Sequence, residues 1–598
     1  MKTIPKRKDV SVENTWATTD IFESDEKWEE ALKALSVYPE KIASFKGKLG
    51  QSGKALYEYL ALEDKLDLEV SAVHSYAHLN SDVDTGDSKY KEMSGRVMST
   101  YVKIATAAAF STPEIMAIED DTLENFYKEC PELELYRNCL TRMRESKPHT
   151  LSEAEEKLLS GVHDFSGASS KTSSSFRNAD LKFPDVTDGE GKPHQLTQGS
   201  YIPCVQSSDR VLRKNAFETL YHTYGQFRNT TADFLDGQFR QLKFFADARK
   251  YGSSLEAALT NNEVPVEVYH NLIDTVHKNI GVLHRYMELR KKIMGLDELH
   301  MYDIYPTLVG DAEKKITFEE AKETVLKALK PLGEEYLSVV RKAFKERWID
   351  VYENEGKRGG AYSSGARPHP YVLLNYEESL DSMFTLCHEM GHAMHSYLSK
   401  SNQEVRYSDY VIFVAEVAST CNESLLMNYL LANTEDRREQ AYLINYFLEQ
   451  FRTTLYRQTM FAEFELKANE IVEKGGSLTA DALCKIYHDL NVFYYGPATV
   501  IDEEIDMEWA RIPHFFMNYY VFQYSTGFSA AMALSDRILN GGEQAVKDYL
   551  GFLSGGSSKK PIDLLKGAGV DMTTPEPVDK ALKTFEKLLD RFEELMAE

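Results

Sequence analysis

The chain has 598 residues, too many for one compact core, so two or more lobes are expected. Hydrophobic residues make up 42% and charged residues 27%, an ordinary soluble globular composition. The net charge of −25 argues against nucleic acid or an anionic membrane surface as partner, because both need basic surface, and no apolar run has membrane-spanning length.

Met1 to Lys8 is basic but leads into no apolar segment, so no secretory leader is expected. The six cysteines are scattered and form no C-x-x-C pair, which leaves a disulfide framework or thiolate metal site without support. A cytoplasmic location is the expectation. Residues 9–22 look irregular, with Trp16, Ile21 and Phe22 as anchors onto a later helix. From Ser24 to about Ser160 the pattern is helical, broken near Gly50–Gly53 and Ser111–Pro113. Ser111-Thr112-Pro113-Glu114 reads as a helix start, with a capping oxygen ahead of a first-turn proline. Arg142, Arg144 and Lys147 read as a solvated face.

Leu181–Val186 and His194–Thr197 flank Asp188-Gly189-Glu190-Gly191, a β-hairpin pattern. A boundary near residue 200 divides an N-terminal helical lobe, 1–200, from a second part, 201–598. Helix resumes at Arg210 and runs past Arg240, a helical pair spans about 261–294, and helices return at 317–346. Residues 351–376 differ: Glu355–Tyr362 is glycine-rich and Tyr371–Tyr376 is strand-like. A strand edge there could pair with an extended peptide, the plainer alternative being a turn that feeds a buried strand. The expected class is mainly α, with a small sheet near the next segment.

That segment, Cys387-His388-Glu389-Met390-Gly391-His392-Ala393-Met394-His395, contains H-E-x-x-H. With 16 histidines in the chain, a chance occurrence is expected only about 0.03 times. Residues four apart share a helix face, so His388 and His392 aim at one point, as two ligands of a tetrahedral Zn²⁺ would. Glu389 lies beside that point, where it could take a proton from a zinc-bound water and pass it to a leaving amine. The longer H-E-x-x-H-x-x-G-x-x-H pattern is excluded, because the chain has His395 and Leu398 at the positions it would fill with Gly and His. A carboxylate from a following helix remains, with Glu404, Glu416 and Glu423 as candidates. Glu416 stands in a strongly apolar surround, where an ionised carboxylate needs a partner or a metal, and is chosen as third ligand. Glu423 is seven residues on and could accept a ligand histidine N–H. His395 could meet substrate or a neighbour, with a structural role as the alternative, and Cys387 reads as packed. The aromatic run from Arg511 to Tyr524 could supply oxyanion donors, but a stripe of this kind is more often core.

Gly360-Ala361-Tyr362, the H-E-M-G-H-A-M-H run, the interval to Glu416 and Glu423, and Ile512-Pro513-His514-Phe515 with Tyr519-Tyr520-Val521-Phe522-Gln523-Tyr524 together resemble the thimet oligopeptidase superfamily of zinc metallopeptidases. Within it they are most similar to the oligoendopeptidase F group. The likeness is strong over roughly 200–590 and general before that. It implies a mostly helical, two-lobed, gluzincin-like zincin with a deep internal channel that admits short unstructured peptides. It further implies one Zn²⁺ per chain on His388, His392 and Glu416, with Glu389 as general base and His514 and Tyr520 as further catalytic groups. Gly360, Ala361, Tyr362, Tyr519 and Tyr524 would contact substrate. Relatives often have Tyr where this chain has Phe522, so Tyr520 is ranked only just ahead of Tyr519 and Tyr524. Gly555-Gly556-Ser557-Ser558 resembles a flexible element of relatives, a plain helix connector being the alternative.

The expected function is zinc-dependent endopeptidase action on oligopeptides. One alternative is a zinc carboxypeptidase or dipeptidyl carboxypeptidase, with Arg367 or Arg511 holding the terminal carboxylate. The other is a catalytically silent peptide-binding protein, against which an intact Glu389 argues. Oligomeric state stays open, with a monomer the default expectation.

Overall fold

The computed structural model describes residues 4–310 and 315–597. Helix dominates it, and six helices are used below: α1 (Gly53–Asp82), α2 (Arg228–Ala248), α3 (Leu380–Asn402), α4 (Ala415–Asn433), α5 (Arg457–Glu473) and α6 (Phe522–Asn540). The strands are short: β1 (Val186–Thr187), β2 (Pro193–His194), β3 (Leu299–His300), β4 (Ile349–Asp350), β5 (Tyr362–Ser364), β6 (Tyr371–Leu373) and β7 (Thr499–Val500). β1 and β2 form the expected hairpin, β3 pairs with β7 in parallel, and β4, β6 and β5 make a three-stranded sheet in that order. The mainly α class with small sheets is as the sequence indicates.

The chain folds into two compact units, each built from three stretches. The first holds Met1–Lys147, Lys314–Leu426 and Leu534–Gly569, and the second Pro148–Glu313, Met427–Ala533 and Val570–Glu598. Compactness therefore follows a different partition from a single cut near residue 200.

Within the first unit, the N-terminal helices enclose a core around Trp28, Leu56, Tyr59, Leu133 and Leu140. The indole of Trp28 donates to the Val73 carbonyl (2.8 Å), so even its one polar atom is satisfied. Residues 12–20 form short 3₁₀ turns, and Trp16 anchors them, packing with Leu79, Val83, Tyr371 and Leu373. Helix continues beyond Ser160 through Ala168–Ser175 and a π-helical turn to Asp180, so the serine-rich stretch does not end it.

Three local expectations are corrected. Ser111 is inside its helix and buried, and Phe110 precedes it without a side-chain cap. Arg142 and Arg144 do not form a solvated face: Arg142 donates to the Ser557 carbonyl (2.9 Å) and Arg144 to the Ile115 carbonyl (3.2 Å). The loop Gly555–Ser558 is consequently a pinned connector. Ser557 N–H donates to the Tyr407 carbonyl (2.9 Å), and Asn138 donates to the Ser558 carbonyl. Gly556 has φ +52° and sits so close to Tyr407 that an added Cβ would overlap that carbonyl oxygen.

Candidate active site

Helix α3 begins at Ser379, whose hydroxyl accepts from the Ser382 N–H (3.1 Å), and Asp381 adds negative charge to its first turn. It packs on β5 and β6 of the three-stranded sheet. Met383, Phe384, Leu386, Cys387, Met390, Ala393 and Met394 are all buried, which leaves His388 and His392 as the half-open face.

Helix α4 crosses α3 at very short range because position 391 is glycine. A Cβ there would lie 2.6 Å from Ser419 Cα and 2.7 Å from the Ala418 carbonyl oxygen. One turn away the two backbones are tied together: Asn422 donates to the Cys387 carbonyl (3.2 Å), and the Cys387 thiol faces the Asn422 carbonyl (3.4 Å). Tyr336 donates to the Asn422 side-chain oxygen (3.1 Å) and fixes the amide's orientation. Cys387 is thus a packed residue.

This crossing places Glu416, in the first turn of α4, beside both histidines. His388 Nε2 and His392 Nε2 are 3.2 Å apart, and Glu416 Oε2 is 3.3 Å from the first and 3.5 Å from the second. Three ligands of a tetrahedral ion at Zn–N or Zn–O distances of about 2.0–2.2 Å would be separated by roughly 3.3–3.5 Å. The triangle fits. His388 Nδ1 donates to Glu423 Oε1 (2.8 Å), so its Nε2 presents a lone pair to the same point. Ser419 donates to Glu416 Oε2 (3.0 Å) and orients the carboxylate. Glu404 is exposed in the loop after α3, apart from this grouping.

The electrostatics agree. Burial alone would keep His388 neutral, but the carboxylates of Glu416 and Glu423 outweigh it and raise its pKa well above the ordinary value. Burial likewise works against the ionised Glu416, yet its hydrogen bonds to the two histidines hold it low. These are the pulls a cation among the three donors would replace. Glu389 is 6% exposed and raised by burial, an effect only partly offset by the nearby histidines. Its Oε2 is buried without a hydrogen-bond partner, a poised acceptor beside the triangle. His395 turns elsewhere: it stacks flat on Tyr410 (3.6 Å between centroids) and is kept neutral by burial.

Residues 355–364 lead into the sheet. β6 is central and paired on both sides, so it offers no edge. Of the two edge strands, β4 is bordered by the N-terminal stretch, through Ala17 N–H to the Arg347 carbonyl and Val351 N–H to the Asn14 carbonyl, which leaves β5 as the open edge among the described residues. Val372 N–H bonds back to the Trp348 carbonyl on the β4 side, so Tyr371 and Leu373 face β5, where they pair with Ser364 and Tyr362. By alternation, the N–H and C=O of Ala361 and Ser363 point outward. Gly360 (φ +81°) makes the turn into the strand, and the Tyr362 hydroxyl donates to Asp82 Oδ2 (2.8 Å). The outward direction of the Ser363 backbone was not legible from the sequence, because it follows from strand register.

In the second unit, His514 lies in a 3₁₀ turn, Pro513–Phe516, with Tyr520 and Tyr524 around it. Ring centroids are 6.2 and 5.9 Å from the imidazole, and Tyr524 Oη is 3.4 Å from His514 Nε2. All three are partly exposed, and burial lowers the His514 pKa, with Arg177 and Arg457 adding to it. Tyr519 goes the other way, a correction to its place among the substrate contacts. It is 1% exposed and packs edge-on against Tyr269 (5.6 Å), because its left-handed backbone (φ +59°) turns the side chain inward. Its N–H donates to Glu465, a fully buried carboxylate on α5. Phe522 is also buried against Tyr269 (5.1 Å), so the residue at this position faces core.

The two arginines considered for an exopeptidase are engaged. Arg367 donates to the Lys400 carbonyl (3.1 Å) at the end of α3. Arg511 is 13% exposed, paired with Glu508 (2.8 Å) and bonded to the Tyr221 hydroxyl (3.2 Å).

With this geometry in place, comparison with known proteins assigns the lineage. The family model for Peptidase family M3 matches residues 204–584, and one for Oligopeptidase F matches 114–183. The chain belongs to peptidase family M3. It is 48% identical to oligopeptidase PepF of Bacillus subtilis, over 99% of this chain and 89% of that protein. The solved oligoendopeptidase-F of Enterococcus faecium superposes with a TM-score of 0.75 at 39% identity, covering 96% of this chain and 99% of that one. A solved chain from Chlamydophila abortus gives 0.92 at 33% identity, over 100% of both. This M3 peptidase is therefore an enzyme, a metalloendopeptidase, and neither exopeptidase nor silent binding protein is supported. No helix among the described residues is long and apolar enough to cross a membrane.

Proposed function

We propose that this M3 peptidase hydrolyses internal bonds of short, unstructured oligopeptides with one Zn²⁺ held by His388, His392 and Glu416. The observation that carries the reading is the triangle of two imidazole nitrogens and one carboxylate oxygen, with the unpartnered Glu389 oxygen beside it. Two nitrogens and one oxygen form a zinc-type donor set, and three protein ligands leave a coordination position open, as catalytic zinc sites do. A bound Zn²⁺ supplies a Lewis acid that acidifies water and polarises a carbonyl.

Glu389 accepts the proton of the attacking water and returns it to the leaving amine, its buried and unpartnered Oε2 being the acceptor. Glu423 holds the proton of His388 Nδ1 and fixes that ring's tautomer. The outward N–H and C=O groups of Ala361 and Ser363 take the substrate backbone as an added strand, which recognises extended peptide largely without regard to side chain. His514 and Tyr520 are assigned as donors to the developing oxyanion, with Tyr524 as substrate contact, on the chemistry of their cluster. Six unpaired cysteines suit the reducing environment of the cytoplasm.

The deciding experiment is cleavage of a quenched fluorescent peptide of about nine residues, blocked at both ends, by wild type and Glu389→Gln. The variant should retain zinc in stoichiometric amount and lose several orders of magnitude in kcat. Retained activity would remove Glu389 from its role. Activity only on peptides with free C-termini would remove the endopeptidase reading.

A further inference from the structure

The open edge of β5 is held from outside its own sheet. Asp82, the last residue of α1, is 6% exposed, and two donors converge on its carboxylate, the Tyr362 hydroxyl (2.8 Å) and Arg358 Nη1 (3.2 Å), with His78 Nε2 nearby at 3.4 Å. The backbone joins in. Arg358 N–H donates to the Asp82 carbonyl (2.9 Å), and both the N–H and the hydroxyl of Thr85 donate to the Gly356 carbonyl (2.7 and 2.8 Å). Gly356 (φ +80°) passes so near α1 that a Cβ would lie 2.5 Å from Asp84 Oδ1. Leu79 and Val83 complete the contact by packing on Tyr371 and Leu373, with Tyr362 against the same cluster.

The far side of the same segment is tied to the sheet. Asn375 donates to the carbonyls of Arg358 (3.0 Å) and Gly360 (2.8 Å). Lys357, its side chain fully buried, bonds Asp350 and the carbonyls of Tyr352 (2.7 Å) and Leu374 (2.5 Å). Between these ties, Gly359 has no side chain and Ala361 only a methyl, so neither can anchor the backbone by a side-chain hydrogen bond. Where Ala361 and Ser363 point is set by the residues around them, and Asp82 grips Tyr362, which stands between the two, and Arg358, three residues before Ala361. A backbone-recognising edge depends on direction more than on chemistry, because each ladder hydrogen bond weakens as its angle departs from linear.

We propose that Asp82 is a positioning residue for substrate binding, fixing through Tyr362 and Arg358 the direction in which the β5 edge presents Ala361 and Ser363. The proposal rests on the reading that this edge takes the substrate backbone. Asp82 lies in neither of the segments that the two family models match.

The test measures kcat, KM and metal content for wild type, Asp82→Ala, Asp82→Asn and Tyr362→Phe on the blocked peptide. The peptide is also made with single N-methyl amides placed along its length. In wild type, methylation of the amides that meet the edge should raise KM about tenfold or more. Asp82→Ala should raise KM about tenfold with kcat and metal content nearly unchanged, and should shrink the penalty for N-methylation. Asp82→Asn, which keeps an acceptor for the Tyr362 hydroxyl, should recover most of the loss, and Tyr362→Phe should give a smaller rise in KM. A sensitive amide in wild type together with unchanged KM in Asp82→Ala, or in Tyr362→Phe should the alanine variant not fold, overturns the role of Asp82. A scan with no sensitive amide overturns the edge reading itself, whatever Asp82 does.

Discussion

In α3 and α4 the candidate-site residues His388, Glu389, His392 and Glu416 stand on regular helix, whereas between Arg511 and Tyr524 the backbone changes conformation repeatedly. A 3₁₀ run ends at Arg511, another spans Pro513–Phe516, Asn518 and Tyr519 are both left-handed (φ +53° and +59°), and α6 begins at Phe522. Left-handed non-glycine residues cost about 1 kcal/mol or more each, so something must hold them. Two buried side chains from elsewhere in the unit do so: Glu465 takes the Tyr519 N–H, and Gln238 of α2 donates to the Asn518 side-chain oxygen (2.8 Å). A regular helix turns spacing into direction; a broken segment takes its directions from distant partners.

The largest effect should come from Gly391→Ala, which attacks the helix pair where it is closest. The new methyl would overlap the α4 backbone at Ser419 and Ala418, neither of which is a flexible side-chain end. The helices must separate, at a cost on the order of 1–3 kcal/mol or more. Glu416 would then move off the triangle it forms with His388 and His392. The expected outcome is loss of tight zinc binding and of activity by orders of magnitude in protein that is still largely helical by circular dichroism. Normal zinc affinity would mean that the crossing distance does not set the site.

A smaller effect separates the tyrosines of the other region. Tyr520→Phe should lower kcat about a hundredfold with little change in KM if its hydroxyl stabilises the oxyanion. Tyr519→Phe should leave both constants within about twofold, because its ring lies in the core against Tyr269. Equal losses in the two variants would erase the distinction drawn from the backbone.

The contrast also explains what was legible. His388, Glu389 and His392 follow from spacing four on a helix, and Glu416 from a carboxylate in an apolar run, so the grouping of His388, His392 and Glu416 was accessible from residue types alone. Gly391 and Asn422, which bring α4 to that position, were visible as letters but not as a crossing, since nothing local names the partner helix. Ser363 depends on strand register and Asp82 on a contact some 280 positions away along the chain. Tyr519 shares a motif with Tyr520 and Tyr524, and the left-handed pair at Asn518 and Tyr519 that turns it inward has no glycine to announce it. Compact units drawn from three stretches each escape any reading that proceeds along the chain, which finds boundaries only where composition shifts.

The smallest effect is expected from Glu465→Gln, and it sharpens the same contrast without touching a side chain that meets substrate. Burial lifts the Glu465 carboxyl from its ordinary 4.5 to about 8, with the Tyr519 amide only partly opposing it, and its Oε2 has no hydrogen-bond partner. In the unfolded chain this group loses its proton near pH 4.5, whereas in the folded chain it keeps it to about 8. Between those values the folded state holds the extra proton, so this carboxyl lowers stability as pH rises through the window and levels off above it. The size is on the order of a few kcal/mol across the window. Glutamine keeps the acceptor for Tyr519 and has no proton to lose. Wild type and variant should therefore melt alike near pH 5, and the variant should melt higher at pH 8, with kcat and KM at pH 6 nearly equal. Parallel melting curves across that range would mean that Glu465 ionises normally in the folded chain.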